Sequence, residues 1–136
     1  MAGPASQRQF LVTIDGIGEF FATLSGGEVT ADVGDSYDGG KKRPDKVAGN
    51  AVTANLVCGR PYKITRDQPI IDRLEKQVGS FTTTITRQPA DADFTPVGKP
   101  TVYPDCLLVR VTPPEMDASS SDAASYELEW ATPGSA

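Results

Sequence analysis

The sequence predicts a mainly β domain, a β-sandwich or barrel of about seven strands with one short packed α-helix. Glycine and proline account for 13 and 11 of the 136 residues, and this content favours many short elements joined by turns. Apolar and polar residues alternate in several short stretches, as they do in strands with one buried face. The length favours a single domain with a core of its own.

The first part of the chain is predicted to hold a mobile arm and three strands. Residues 1–8 are small and polar, which is typical of an unanchored terminus. Alternating apolar and polar residues follow, interrupted by glycine-containing turns such as Asp15-Gly16, and these turns separate one strand from the next. The predicted strands are 9–15, 19–24 and 28–33.

A long loop without hydrophobic periodicity is predicted over residues 34–49, which contain four glycines and seven charges. Long ordered loops in small domains are often functional. A phosphate-binding loop is excluded, because Gly40-Lys41 precedes Lys42 instead of Ser or Thr and no helix start follows. Three alternatives stay open for Lys41, Lys42 and Arg43. They are contact with nucleic acid, a solvated turn without function, or a basic tip that meets an acidic surface of a neighbouring protein.

One amphipathic helix is predicted after a strand over residues 50–58. Asp67 suits the N-cap position, Pro69 the first turn and Gly79 the C-terminal stop. A helix of about ten residues is unstable alone in water, so it must lie on an apolar surface. Its apolar stripe consists of Ile70, Ile71, Leu74 and Val78.

Three further strands are predicted in the C-terminal half, within residues 80–88, 103–112 and 126–130. The last of them alternates strictly. Residues 89–100 are predicted to form a loop, and residues 115–125 a flexible hairpin tip. Inward-facing residues are expected to be Leu107, Val109, Val111, Tyr126, Leu128 and Trp130. The strand aromatics Phe10, Phe81, Tyr126 and Trp130 are expected in the core. The second faces carry hydroxyls and carboxylates: Thr82, Thr84, Thr86, Glu127 and Glu129.

Charge and residue types exclude several functions. The formal net charge of −5 is unlike the basic footprint of a general nucleic-acid-binding protein. The chain has no histidine, and its two cysteines, Cys58 and Cys106, form no CxxC pair. His-based catalytic triads and the usual zinc sites are therefore excluded. We expect no enzymatic activity, no cofactor and no metal, and we expect both cysteines to be buried strand residues.

Membrane insertion and secretion are not predicted. No run approaches the ~20 apolar residues of a membrane span, and the N-terminal MAGPASQRQ has no apolar segment typical of a signal peptide. We therefore expect the protein to be made in the cytoplasm.

The order of these features resembles that of the tail tube proteins of tailed bacteriophages. Those proteins are related to the inner-tube proteins of type VI secretion and similar contractile injection machines. The resemblance covers most of residues 9–131 and is strongest over 10–60. It departs from the family pattern at 44–49. The residues that carry it are Phe10, Val12, Ile14, Asp15, Gly16, Glu28, Val29, Tyr37, Gly39, Gly40, Leu56, Gly59 and Arg60.

The resemblance implies a homohexameric ring in which each subunit contributes strands to a shared inner barrel. Stacked rings would form the hollow tail tube of a virion, assembled in the host cytoplasm, through which the genome passes. The implied organisation is an arm (1–8), a tail-tube-like domain (9–131) that contains the inter-subunit loop (34–49), and a tail (132–136). The residues expected at the neighbouring subunit or ring are Tyr37, Asp38, Gly39, Gly40, Lys41, Lys42, Arg43 and Pro44.

The implied partners are other copies of the chain, tail proteins at the tube ends, a tape-measure protein inside the tube, and transiently the passing DNA. Thr82, Thr84, Thr86, Glu127 and Glu129 are the candidate lumen-facing residues, since a lumen without basic residues would not hold DNA tightly. Two alternatives stay open. One is the inner tube of a secretion or contractile injection system, and the other is a monomeric β-barrel that binds nucleic acid or protein.

Overall fold

The computed structural model describes residues 9–36, 39–40, 43, 45–119 and 122–136. Within these ranges the chain forms strands and one helix, and the predicted mainly β class is confirmed. The elements are β1 (Phe10–Ile14), β2 (Ile17–Phe21), β3 (Thr23–Gly26), β4 (Val29–Ser36), β5 (Asp45–Thr53), β6 (Leu56–Pro61), α1 (Ile64–Glu75), β7 (Thr82–Pro89), β8 (Thr101–Thr112) and β9 (Ser125–Ala131).

The main sheet closes on itself. Its strand order is β2-β1-β7-β8-β9-β6-β3, and the two end strands are consecutive segments of chain separated only by Ala22. The Ala22 N–H donates to the Gly59 carbonyl at 2.9 Å, which joins the two ends of the sheet. The result is a barrel built by one subunit, and closure of this kind removes most of the exposed strand edges.

Strand β8 bends to serve both halves of the barrel. Its first part, Thr101–Leu107, pairs with β7, and its second part, Leu107–Thr112, pairs with β9. Asp105 adopts a φ of 56°, and the register shifts between Leu108 and Arg110. Bulges and bends of this kind let one strand pass from one sheet direction to another.

The core lies inside the barrel and under the helix. Paired strands direct partner residues to the same face, as where Ile14 faces Ile85 and Leu108 faces Trp130. The largest fully buried side chains include Trp130, Tyr126, Leu56, Ile71 and Leu74. The inward alternation expected for Tyr126, Leu128 and Trp130 is observed.

Two expectations about inward-facing residues are wrong. Strict alternation predicted Leu107 and Val109 in the core, but the structure buries Leu108 and leaves both neighbours partly exposed. The register shift in β8 is the cause, because each extra residue reverses the side chains that follow it. Phe10 is also not a core residue, since it is 38% exposed at the beginning of β1.

The segment between β3 and β6 is a β-hairpin for most of its length. The predicted loop over 34–49 loses residues 34–36 to β4 and 45–49 to β5. The predicted strand over 50–58 is divided at Ala54, whose N–H donates to the Glu28 carbonyl at 2.8 Å. Gly27 donates in turn to the Ala54 carbonyl at 3.3 Å, and these bonds close the base of the hairpin.

The helix begins at Ile64, three residues before Asp67, the predicted N-cap. Lys63 is the observed N-cap. Asp67 lies inside the helix, where its side chain accepts the Lys63 N–H at 2.8 Å. The helix ends at Glu75, so Val78 lies beyond it and is 42% exposed. The carboxylate thus caps the first turn from within, because its other contacts hold it against the barrel.

Helix α1 packs against the barrel at β8 and also reaches the region of β2 through two arginines. Ile71 and Leu74 enter the core, the Arg73 guanidinium donates to the Gly16 carbonyl at 3.3 Å, and Arg66 forms an ion pair with Glu19. The helix therefore covers the part of the barrel where strand pairing between its two ends is missing.

Replacement of Gly26 by alanine is expected to destabilise the fold strongly. Gly26 has a φ of +89°, and a Cβ atom there would lie 1.8 Å from the Asn55 carbonyl oxygen. Left-handed backbone and a clash with main chain together predict a loss of at least ~2 kcal/mol in the free energy of unfolding, measured by denaturant titration. Gly18→Ala is the matched control, because nothing lies within 4 Å of its added Cβ. Equal losses in the two variants would contradict the expectation.

Candidate assembly surfaces

Strands β4 and β5 form a separate two-stranded sheet, which is called the arm from here on. It is distinct from the N-terminal arm predicted over residues 1–8, which lie outside the described residues. Its register runs from Val29 opposite Thr53 to Ser36 opposite Asp45, and all eight residues of β4 are exposed. A two-stranded hairpin is only marginally stable by itself in water. An arm of this length that packs so little against its own barrel is typical of a segment that is stabilised by another chain.

The faces of the arm expose apolar side chains. Val29, Ala31 and Val33 lie on one face of β4, and Val29 and Val33 are 66% and 60% exposed. Val47 and Val52 on β5 are also exposed, at 53% and 60%. An ion pair between Lys46 and Asp35 lies towards the tip. Val52 and Val47 pair with Thr30 and Gly34, so they point to the face opposite that of Val29 and Val33. Each face of the hairpin therefore carries exposed valines, which are typical of protein interfaces.

Only part of the predicted basic loop lies within the described residues. Gly39, Gly40 and Arg43 are exposed, and Gly40 has a φ of +87°, a conformation that glycine adopts without strain. The remaining members of the predicted contact set lie outside the described residues: Tyr37, Asp38, Lys41, Lys42 and Pro44.

The five candidate lumen residues lie on outward faces of the barrel. Thr86 pairs with Thr13 and Val102, opposite in direction to the buried Ile85 next to it. Glu127 and Glu129 alternate with buried residues along β9. Because β8 separates β7 from β9, the threonines and glutamates do not lie on adjacent strands. Thr82 is exposed, and Thr84 and Thr86 are half-buried.

The outward face of β9 is less acidic than its sequence suggests. Arg110 on β8 forms an ion pair with Glu129 at 2.7 Å, and Asn55 donates to the other carboxylate oxygen at 3.1 Å. The glutamate is thereby oriented and partly neutralised. Sequence alternation alone did not predict this pair, because the bulge in β8 determines which of its residues face outward.

A buried ion pair joins the barrel to the helix. Arg60 on β6 is 2% exposed and Asp67 on α1 is fully buried, and their side chains meet at 2.8 Å. The Arg60 guanidinium also donates to the Tyr126 hydroxyl at 2.6 Å and to the Gly18 carbonyl at 2.6 Å. Its carbon lies 4.3 Å from the centre of the Phe21 ring. One side chain therefore contacts β2, β9 and the helix.

Both oxygens of the Asp67 carboxylate accept hydrogen bonds from several donors. Burial alone would raise the pKa of Asp67, but donation from Arg66, the Lys63 N–H and Tyr126, together with the charge of Arg60, holds this pKa below its usual range. Burial and the adjacent Asp67 raise the pKa of Tyr126 to about 12. At neutral pH the pair is ionised and Tyr126 is a neutral donor, so the cluster is a structural anchor.

The sequence contained one signal for this anchor. Arg60 follows an apolar run in β6 that includes Leu56 and Cys58, and a charge in such a strand requires a partner because charges are rarely buried alone. The partner, Asp67, follows Arg60 by only seven residues, but it was not recognised because it already fitted a helix cap.

Metal and membrane sites were sought in the part of the chain that the structure describes. No group of three or more potential metal-ligating side chains occurs there. Within the same ranges, no helix has both the length and the apolar character needed to cross a bilayer.

Burial raises the pKa of the Cys58 thiol to about 12, so this cysteine is neutral at physiological pH.

Comparison with known proteins identifies the fold. No family model matches the sequence, and no curated protein matches it significantly. A chain in the sheath-tube complex of the PVC extracellular contractile injection system, in its extended state, superposes with a TM-score of 0.80 at 19% identity, over 98% of this chain and 90% of that one. A chain in the 6-fold symmetrised baseplate of the anti-feeding prophage gives 0.79 at 22% identity, over 100% and 96%.

A more distant match is Hcp1 from Flavobacterium johnsoniae, with a TM-score of 0.52 at 11% identity over 91% of this chain and 89% of that one. At these identities the likeness shows the fold. The predicted resemblance to tail tube proteins and their relatives in injection machines is confirmed at that level.

Replacement of Asp67 by asparagine is expected to lower the free energy of unfolding by ~3–5 kcal/mol at pH 7, because Arg60 would keep a buried charge without its counter-charge. The folded pKa of Asp67 is lowered, so its contribution is present above the unfolded pKa of about 4 and is lost as pH falls below it. Denaturant titrations between pH 7 and pH 2 should therefore show a weaker acid dependence in the variant.

The matched control is Asp72→Asn on the exposed side of the same helix, where a change of at most ~0.5 kcal/mol is expected. An Asp67→Asn variant that is as stable as the unaltered chain at pH 7 would contradict the anchoring role.

Proposed function

We propose that the chain is a structural subunit that self-assembles into stacked hexameric rings, which form a hollow tube. The observation that carries the proposal is the exposed arm on a barrel that is otherwise closed. The shared fold supports it, because the similar chains come from a sheath-tube complex and a 6-fold symmetrised baseplate.

The division between barrel and arm fits self-assembly. The barrel satisfies its own strand edges through closure and through α1, so its stability does not depend on a partner. The arm offers exposed backbone edges and valines such as Val29 and Val33, which are stabilised when another copy covers them. A contact between two different surfaces of identical subunits repeats from copy to copy, giving rings when it closes and stacks when it does not.

We propose further that the outward threonines and glutamates face the lumen. Hydroxyls and carboxylates carry no positive charge, so they lack the electrostatic attraction for phosphates that Lys and Arg provide. Arg110 lies on this side of the barrel but is held by Glu129 at 2.7 Å, which reduces its attraction for a polyanion. A wall of this chemistry lets a charged cargo pass without tight binding.

Two settings suit the same tube. In a phage tail it conducts the genome, with a tape-measure protein inside and other tail proteins at its ends. In a secretion or injection machine it conducts proteins. The names of the similar structures, an extracellular contractile injection system and an anti-feeding prophage, favour the second setting. Micrographs of producing cells separate the two, because a phage tube is attached to a DNA-filled capsid.

The purified chain is expected to form rings or tubes at high concentration, observed by electron microscopy and sedimentation. Replacement of residues 30–52 by Asn-Gly should give a folded monomer, because the paired residues Val29 and Thr53 can flank a two-residue turn. Unchanged assembly of this armless chain would contradict the proposal, and so would a full-length chain that stays monomeric even with a nucleating end protein.

A triple replacement of Lys41, Lys42 and Arg43 by glutamate tests the arm tip separately. It should impair ring stacking and leave the subunit folded, because the charges that meet an acidic neighbour are reversed. Lys76→Glu with Lys99→Glu, two exposed positions outside the arm, controls for most of the change in net charge, because each replacement changes the charge by the same amount as one at the tip. Tubes of unchanged length and yield would exclude the stacking role of the tip.

The lumen assignment is tested by a density map of the assembled tube. Thr82, Thr84, Thr86, Glu127 and Glu129 are expected to line its interior, and DNA should show no salt-dependent retention on preformed tubes. An interior dominated by Lys and Arg would show that a different face of the barrel lines the channel.

A further inference from the structure

The aromatic cleft is a second exposed apolar surface, defined here by Phe10, Phe20, Phe94, Lys63 and Arg66. Its volume is about 690 Å³, and Phe21, Arg60 and Pro61 form part of its wall. Phe10, Phe20 and Phe94 are 38%, 55% and 45% exposed. Three phenylalanines from separate segments that converge on one exposed cleft are typical of a docking site, since aromatic anchors dominate protein interfaces.

The cleft is preformed. Phe94 has a φ of 60°, an unfavourable conformation for an aromatic residue, and Asp91 holds the turn that imposes it. The Asp91 side chain accepts the N–H groups of Asp93 at 2.9 Å and Thr95 at 3.0 Å, while its carbonyl accepts the Phe94 N–H at 3.0 Å. The Arg87 guanidinium lies 5.9 Å from the centre of the Phe10 ring. A rigid aromatic site loses little conformational entropy on binding.

We propose that this cleft receives the arm of a second copy of the chain. The inference rests on the proposed self-assembly and names the place where the arm docks. The exposed valines of β4, Val29 and Val33, are four residues apart and so lie ~13 Å from each other on one face. Such a pair can enter an apolar cleft of this size as two adjacent anchors.

The charges around the two surfaces are complementary. The arm carries the carboxylates of Glu28, Asp32 and Asp35, of which Asp35 is paired with Lys46. Lys63 and Arg66 lie on the wall of the cleft. Arg66 is already paired with Glu19 and Asp67, so the charge available to the arm is that of Lys63. Opposite charges around an apolar contact steer the encounter and determine its register. A different partner protein would need the same combination of apolar side chains and carboxylates. The arm already provides this combination within the chain itself, so a second copy is the proposed partner.

The arm and the cleft lie at opposite ends of β6. The arm leaves the barrel beside Leu56, whose side chain would lie 3.1 Å from a Cβ atom at Gly27. The cleft includes Pro61 at the other end of the strand, ~17 Å away for five residues of extended chain. The arm and the cleft are both exposed in the isolated subunit, so in the proposed assembly each of them is covered by a different neighbouring copy. The resulting contact is head-to-tail and propagates along a stack.

Cross-linking between two variants that each carry one introduced cysteine tests the inference. Val33→Cys chains and Phe20→Cys chains are mixed, assembled and treated with a short bis-maleimide. Cys58 and Cys106 are buried, and the neutral thiol of Cys58 is unreactive, so the introduced thiols should react preferentially. A covalent dimer is expected in the mixture. The matched control replaces Phe20→Cys by Val97→Cys, which is 45% exposed and outside the cleft, and should give at least ten-fold less dimer.

A second variant keeps the test independent of the cross-linker. Phe20→Asp should raise the concentration needed for assembly at least ten-fold without changing the unfolding midpoint, and Val97→Asp should not. Two results would overturn docking at the cleft while the tube proposal stands. One is tubes that form without the cross-link, and the other is a Phe20→Asp variant that assembles at an unchanged concentration. The cleft would then serve a different partner. A chain that never assembles would overturn both.

Discussion

The fold depends on the burial of one charge, that of Arg60. An arginine removed from water is tolerated only where a counter-ion and further acceptors surround it. Asp67 supplies the counter-ion, while Tyr126 and the Gly18 carbonyl supply the acceptors. These partners belong to the helix, to β9 and to β2, so one guanidinium joins the segments that meet where β2 diverges from β6. The helix lies there because Asp67 is held there, and its apolar residues then complete the core.

Closure of the barrel around this anchor separates stability from assembly. With β2 and β3 continuous through Ala22 and α1 covering the divergent side, little of the barrel edge needs an external partner. The arm differs in kind, because its two strands pair with each other and leave their faces to solvent. The barrel can therefore fold before an interface on the arm forms, and association then adds to its stability. This order suits the proposed subunit, which would fold first and assemble later.

The sequence predicted those features that follow from local periodicity. The class, the alternation of β9 and the existence of one amphipathic helix needed only neighbouring residues. Errors arose where distant groups intervene. Asp67 caps its helix from within because Arg60 holds it, and Leu108 replaces Leu107 in the core because the register of β8 shifts between Leu108 and Arg110. Residues 34–36, 46, 47 and 49 are all exposed, so these segments gave no periodic signal. Phe10 alternates correctly with Val12 but lies at the barrel mouth, where the inward direction leads to the aromatic cleft.

Charge sets the remaining constraint on a stack of these subunits. Each chain carries a formal net charge of −5, so identical copies in contact repel one another unless opposite charges face each other locally. The proposed contact meets this requirement, because carboxylates on the arm would approach Lys63, while Arg110 already offsets Glu129 on the outward face. Surface pairs of this kind contribute little affinity, and the valines and phenylalanines must supply most of it. In the proposed stack, apolar burial would drive association and charge would select which surfaces meet, so that an acidic subunit would stack in one direction.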